Sequence, residues 1–374
     1  MSRRILFVGN SAWSMYNFRR TLMSYLREKN FEIVVAAPVD AYSEKFKGLN
    51  IEYYPISHLR AKGKNPLHEY QLYQELIAIY KKVQPDLIFH YTIKPNIYGT
   101  MAASQLKIPN IAVTTGLGYV FSNKNLASGI AKWLYKRSLR RAAEVWFLNR
   151  EDMRSFVDNG IITENKAFVL PGEGVDTAFF SPVVAEKKKP LSFRFLLTGR
   201  MIYEKGVGYF VDATRILKQE GFQFESVLLG FVDVKNPGAI SRQQISEWEA
   251  EGIAKFLGET ENVVPVLQQA DCLVLPSYYR EGIPRALLEA ASMALPIITT
   301  NNVGCKDVVD DNITGYLCEM NNTTDLADKM RKMIEMSPSD RKKMGNAGRL
   351  KVLSEFDEQK IFEIYLNKIN THLS

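Results

Sequence analysis

Short, wholly apolar runs that stop at glycine, asparagine or proline recur along this chain, and each gives way to a longer stretch in which apolar residues return every three or four positions. The first run, RILFV at residues 4–8, ends at Gly9, Asn10 and Ser11. NFRRTLMSYLREKN then carries helical spacing, and FEIVVAAP reads as a second strand. Runs with no polar face suit strands of a parallel sheet covered by helices on both sides. The order continues through a helix at 69–83, the strand PDLIFHY, a helix at 95–106, the strand PNIAVTT, a helix at 126–143 and the strand EVWFLN. Such alternation predicts a doubly wound parallel α/β sheet with its ligands at the carboxyl ends of the strands.

At residues 174–192 the periodicity lapses into GVDTAFFSPVVAEKKKPLS, with two prolines and a triple lysine. A linker is expected there, dividing a first domain, 1–180, from a second, 191–356. The same grammar then restarts: strand FRFLLTG, helix 206–219, strand FESVLLG, helix 241–251, strands KFLG and CLVLP, helix 284–294 and strand PIITT. Helices near 325–335, 338–353 and 357–370 close the chain, the last expected to pack back on the first domain. Two Rossmann-like halves in tandem predict a cleft between them, the default place for an active site.

Composition narrows the class. With 374 residues, 46% hydrophobic and 24% charged, and a mean hydropathy of −0.16, the chain is neither disordered nor polytopic, and no apolar run approaches the roughly 20 residues of a spanning helix. Its formal charge of +7 is unevenly spread: residues 1–190 carry 27 basic and 16 acidic side chains, residues 191–374 carry 21 and 25. The basic first half suggests an anionic partner, for which nucleic acid, membrane headgroups and phosphorylated substrates all qualify. Cys272, Cys305 and Cys318 lack metal-ligand spacing and point to a reducing compartment. The apolar segment Ile5–Val8 is too short for a signal peptide's core, so a cytoplasmic protein is expected.

Two stretches carry chemistry. In LPSYYREGIPRALLEAASMALPII, Glu281 lies in a Gly/Pro loop after a strand, Pro284 suits a first helical turn, and Glu289 falls inside the helix. The amides of Gly282 and Ile283, with the helix N-terminus behind them, would favour an anion such as phosphate. In TGRMIYEKG, Arg200 and Lys205 follow a strand end and flank a tight turn. Two fixed cations there could neutralise a leaving diphosphate as its charge develops. No D-x-D occurs in the chain, so a metal-held diphosphate is not expected and these cations would take the metal's place.

On GRMIYEKG, the Glu281/Glu289 pair in EGIPRALLEA, the turn Gly174–Val175–Asp176 and the closing FDEQKIFEIY, the chain resembles the retaining family-4 glycosyltransferases of two-domain GT-B fold over essentially its whole length. The phrases YTIKPNIYG, TGLGYVF and PSYYREGIP make it most similar to bacterial enzymes that extend undecaprenyl-diphosphate-linked sugars, N-acetylgalactosaminyl transferases among them. The resemblance implies a UDP-sugar as co-substrate, a lipid-linked saccharide acceptor and no required metal or other cofactor. It casts Arg200 and Lys205 on the diphosphate, Glu281 on the donor sugar, Glu289 on the ribose and Gly9 at a close backbone approach, with Phe256, Gly282, Ile283 and Pro284 also lining the donor site. Arg200, Lys205 and Glu281 are its catalytic set. Asn10, Asn17, Arg19, Lys94, Asn96, Thr115 and Gly116 are the acceptor candidates. Where many members carry a histidine, this chain reads AVTTG, so Thr115 or Gly116 stands there, and His90 is not its match. His58, His68 and His372 are expected on the surface without a role.

Residues 124–141, KNLASGIAKWLYKRSLRR, set Leu126, Ile130, Trp133 and Leu134 beside Lys132, Lys136, Arg137, Arg140 and Arg141. A basic amphipathic helix with tryptophan fits an anionic membrane surface, here the inner face of the plasma membrane; a packed helix with a solvated cationic back fits the same pattern. A nucleotide-sugar epimerase of the same architecture and a noncatalytic peripheral membrane protein stay open as alternatives. No aromatic-basic RNA motif or recognition helix supports nucleic acid.

Overall fold

The structure is a computed structural model that describes residues 2–60, 65–116, 126–182, 192–232 and 236–374. The chain forms two compact units, Met1–Glu173 with Gln359–Ser374, and Gly174–Glu358. In the first, β1 (Arg4–Val8), β2 (Glu32–Ala37), β3 (Glu52–Pro55), β4 (Leu87–Tyr91), β5 (Asn110–Thr114), β6 (Glu144–Phe147) and β7 (Ala167–Val169) form one parallel sheet in the order β3-β2-β1-β4-β5-β6-β7. In the register, Leu6 stands beside Val34 on one side and Ile88 on the other. Residues 5–8 of β1 and all of β4 and β5 are buried, as strands covered on both faces must be.

The second unit repeats the plan. Strands β8 (Phe193–Thr198), β9 (Phe224–Leu229), β10 (Lys255–Phe256), β11 (Cys272–Leu275), β12 (Ile297–Thr300) and β13 (Gly315–Cys318) are ordered β10-β9-β8-β11-β12-β13. In each sheet the order turns back beside the first strand, between β1 and β4 and between β8 and β11. That reversal opens the carboxyl edge to ligands.

The expected elements are present, and the additions have local causes. Three strands escape the hydrophobic pattern: β3 and β7 are short edge strands without a buried residue, and β13, at the edge of the second sheet, opens on Gly315. A helix at Arg150–Asp158 begins at Asn149, whose side chain accepts from the Asp152 amide, so Asn149 is a helix cap rather than a strand end. The helix expected at 95–106 opens instead as a π-turn, Pro95–Gly99, before Thr100–Gln105. A Cβ on Gly99 would lie 2.5 Å from the His90 ring, which leaves glycine alone able to pack there.

The boundary between units falls at Glu173/Gly174, earlier than the expected domain end at 180. Val175 N–H donates to Phe356 O at 3.0 Å, Thr177 bonds Asp357, and Arg349 donates to Phe180 O at 3.1 Å, which ties this segment to the second unit. The helix Glu358–Leu373 belongs instead to the first. Its Tyr365 packs against Phe89 and Trp146 and shares a 3.0 Å hydrogen bond with the Tyr91 hydroxyl. Lys368 and His372 reach Glu144 at 2.8 and 3.2 Å, and the Trp146 indole donates to it at 2.7 Å. Burial opposes ionisation of this carboxyl, but those bonds hold its pKa at about 2. His372 and His58, expected on the surface without a role, are both partly exposed, but each has a partner, Glu144 for His372 and Glu75, at 3.1 Å, for His58. Among the described residues, no helix is long and apolar enough to cross a membrane.

Candidate active site

At the carboxyl edge of the second sheet, three loops lock together. After β8, Gly199 and Arg200 lead into a single turn, Tyr203–Lys205, that ends at Gly206 with φ +79°. A Cβ on Gly206 would sit 2.1 Å from the Pro276 carbonyl oxygen, so only glycine lets this turn approach the loop that follows β11. That loop hangs on one atom: the Glu204 carbonyl oxygen accepts the amides of Tyr278 and Tyr279 at 3.0 and 3.1 Å, with the Ser277 hydroxyl at 3.2 Å. From the end of β12, Thr300 Oγ1 donates to Ser277 O at 2.5 Å and Asn302 Nδ2 to Tyr279 O at 2.8 Å.

This framework brings Lys205 and Glu281 into contact, although 76 positions separate them. The Lys205 ammonium bonds Glu281 Oε1, both side chains are mostly buried, and the Ser277 hydroxyl lies 3.1 Å from the same oxygen. Arg200 acts on the neighbouring Tyr279 phenol: burial raises its pKa, Arg200 opposes the rise, and Glu281 and Glu204 add to it. Below the pair, burial pushes the Cys305 thiol up to about 12, with Glu281 adding to the rise and Lys205 opposing it. The result is two cations, a carboxylate and a phenol on one sheet edge, largely shielded from water, where charge interactions gain strength.

Glu289 lies on the helix Arg285–Ser292, which begins after Pro284 without a side-chain cap. Burial raises its pKa and Arg285, 3.5 Å away, opposes the rise. Gly282 and Pro284 are buried, and Ile283 packs on the core cluster of Leu287 and Leu288. Phe256 stands apart on the edge strand β10, half-buried against the core, its amide held by Glu249 at 2.9 Å. Sequence reasoning missed Ser277, Tyr279, Thr300 and Asn302. The phrase PSYYREGIP held the first two, but their partners lie on other strands.

The acceptor candidates in the first unit divide. Asn10 is exposed after β1, and Asn17 donates to Trp13 O at 3.0 Å. Gly9 is buried, its amide on Ala36 O at 3.0 Å. Lys94 pairs with Glu69 at 2.5 Å. Thr115 and Gly116 follow β5, half-buried, and the rest of TGLGYVF lies outside the described residues.

Two candidates are corrected. Arg19 is only 4% exposed: it pairs with Glu173 and lies over the Tyr91 ring at 3.8 Å, so it braces the interior. Asn96 is fully enclosed, its amide donating to Val113 O at 3.1 Å, which leaves no surface for a ligand. His90 is enclosed too, 2.8 Å from the Tyr80 hydroxyl, and burial lowers its pKa to about 3.

A family model described as "Glycosyl transferases group 1" matches residues 182–351, the part of the chain that contains this edge, and one described as "Glycosyl transferase 4-like" matches residues 4–149. The chain is a glycosyltransferase. This glycosyltransferase is 28% identical, over 89% of both chains, to the Campylobacter jejuni N,N'-diacetylbacillosaminyl-diphospho-undecaprenol alpha-1,3-N-acetylgalactosaminyltransferase. It is 26% identical, over 66% of this chain and 67% of the other, to an Escherichia coli UDP-Gal:alpha-D-GlcNAc-diphosphoundecaprenol alpha-1,3-galactosyltransferase. Its fold matches a Rickettsia africae glycosyltransferase with TM-score 0.83 at 19% identity, covering 100% and 99% of the two chains. It also matches Anabaena HepE, solved with UDP and glucose, with TM-score 0.82 at 17% identity, covering 99% and 100%. The two parallel sheets of this glycosyltransferase are those of the GT-B fold.

Proposed function

We propose that this glycosyltransferase moves an N-acetylhexosamine from a UDP-sugar to an undecaprenyl-diphosphate-linked saccharide in bacterial surface-polysaccharide or glycan assembly. The anomeric configuration is retained and no metal is required. The observation that carries the reading is the shielded Lys205–Glu281 contact beside Arg200 at the carboxyl edge of the second sheet. Arg200 and Lys205 would stabilise the charge that develops on the leaving diphosphate, and Glu281 would hold the donor sugar. Glu289 would take the ribose, on the helix that Pro284 begins. In a front-face substitution the departing phosphate oxygen accepts the acceptor's hydroxyl proton as the new glycosidic bond forms, so no side-chain base is needed. The named substrates of the two relatives, both diphospho-undecaprenol saccharides, support the acceptor class.

Peripheral attachment to the inner face of the plasma membrane belongs to the same proposal. On the helix Leu126–Leu139, Ile130 and Trp133 are 56% and 59% exposed, and Arg137 reaches over the Trp133 ring at 5.8 Å. Exposed apolar and cationic side chains together fit an anionic leaflet better than a packed interface.

The test is incubation with radiolabelled UDP- and GDP-sugars and polyprenyl-diphosphate saccharides, with and without EDTA. Label is expected in the lipid fraction from a UDP-N-acetylhexosamine, unchanged by EDTA, and the product anomer read by NMR matches the donor. Conversion of the nucleotide sugar without any acceptor would instead establish an epimerase, and transfer unaffected by Glu281→Ala and Lys205→Ala would overturn the assigned site.

A further inference from the structure

Thr92 directly follows β4 and has φ +73°. Among the described residues it is the only β-branched side chain in the left-handed region. The others there, glycines aside, are asparagines, which tolerate it, or Gln84, Lys107 and Ala294, which stand at the ends of helices. A threonine in this conformation is strained, and such strain persists only where the surrounding structure fixes the backbone on both sides. Both sides are fixed. Tyr91 is fully buried, stacks on Phe7 at 6.2 Å and shares its hydroxyl with Tyr365, while the Thr92 carbonyl accepts the Asn96 amide at 3.0 Å in the buried opening of the π-turn.

Glycine would take this conformation freely, so the backbone gives no reason for threonine here. Hydrogen bonding within the chain gives none either: Thr92 is half-buried, and its hydroxyl forms no hydrogen bond among the described residues. Its place in the fold does. The order of the first sheet reverses between β1 and β4, where an α/β sheet opens to ligands. Val8 stands beside His90 in the register, so Asn10 and Thr92, each two residues further on, leave the sheet as neighbours, and Asn10 is exposed. A strained residue that leads into a π-turn is a departure from regular geometry of the kind that collects at functional sites. A hydroxyl and an amide side chain at one crevice suit a ligand rich in hydroxyls.

We propose that Thr92 binds the acceptor saccharide: its hydroxyl hydrogen-bonds a hydroxyl of the sugar that receives the transferred residue, with Asn10 beside it. The strained backbone is what presents the side chain at the crevice. The inference rests on the reading above that a saccharide acceptor binds the first unit.

Steady-state transfer from a UDP-N-acetylhexosamine to a polyprenyl-diphosphate-linked N-acetylhexosamine tests it, with UDP affinity measured by calorimetry on the same preparations. Thr92→Val keeps the shape and the β-branch but loses the hydroxyl, and is expected to lower kcat/KM for the acceptor about tenfold, the loss of one hydrogen bond. Thr92→Ser keeps the hydroxyl and should stay within about threefold of the wild type. UDP affinity should move by less than about twofold in both, because the donor edge lies in the other unit. Thr92→Gly should raise the thermal unfolding midpoint by relieving the strain, while losing acceptor kcat/KM as the valine variant does. A role in shaping the loop alone would spare Thr92→Val, and full activity of that variant overturns the proposal. So do equal losses in the valine and serine variants, a parallel loss of UDP affinity, or a lower midpoint for Thr92→Gly, each of which gives the side chain a structural purpose. Wild-type protein that binds UDP but transfers to no saccharide acceptor would overturn the acceptor reading and this inference with it, whereas transfer indifferent to Thr92 overturns this inference alone.

Discussion

Lys205 and Glu281 meet through a fold that neither residue's neighbours reveal, yet both were legible as candidates because each is charged and follows a buried strand. Removing Lys205 breaks its contact with Glu281 and, on the proposed reading, leaves the diphosphate with Arg200 alone of the two cations. Lys205→Ala is therefore expected to lower kcat about 10²- to 10³-fold, the usual cost of one preorganised electrostatic group, with the folded state retained by circular dichroism. Arg19 and Asn96 were equally legible as polar residues near strand ends, but Glu173, 154 positions from Arg19, and Val113, on the strand after Asn96, take up their side chains. His90 shows the same effect as a titration. Its pKa is about 3 when folded against 6.5 in the open chain, so the unfolded chain binds the proton first as pH falls. Stability from keeping it neutral is intact above about 6.5 and drains as pH falls toward about 3. Glu144, held at about 2 against 4.5, adds a loss only below 4.5. Thermal unfolding midpoints between pH 6.5 and 4.5 are expected to fall less for His90→Gln than for the wild type, each relative to its own value at pH 7.5.

Elements were legible wherever hydrophobic runs were long. The strands RILFV, LIFHY and CLVL are buried on both faces and announce themselves. Edge strands β3 and β7 do not, since a strand with one neighbour needs no continuous apolar face, and a π-turn depends on how Gly99 meets His90 rather than on local propensity. The loop after β11 belongs to the same class: its shape is set by Glu204, Thr300 and Asn302 together. Gly304, at φ +80°, supports it from below, where a Cβ would lie 2.2 Å from the Gly282 carbonyl oxygen. Gly304→Ala would both strain the backbone and push the loop outward, so a destabilisation of about 1–3 kcal/mol and weaker UDP binding are expected together. Calorimetric unfolding and UDP titration of the same preparation check this.

For the whole molecule, charge was the legible quantity. The first half of the sequence is basic and the second slightly acidic, and the proposed division assigns the nucleotide sugar to the second sheet and the lipid-linked acceptor to the first unit. Neutralising Lys136, Arg137, Arg140 and Arg141 together is expected to abolish flotation with anionic liposomes, each cation contributing about 1 kcal/mol at the surface, while UDP binding persists. Equal flotation of variant and wild type would remove the membrane from the proposal.

The alternation of apolar runs and helical periods determined two doubly wound sheets, because burying both faces of a parallel strand leaves a mark on every residue of that strand. The motifs carried the resemblance to glycosyltransferases, and position after buried strands put Arg200, Lys205 and Glu281 at the carboxyl edge of the second sheet, because strand ends place such residues on one side of a sheet whatever the details of packing. Tertiary structure alone decided which polar residues remain available. A side chain is spent according to the partners the fold brings to it, which is why Ser277 entered the site, and why Arg19 and Asn96 left it.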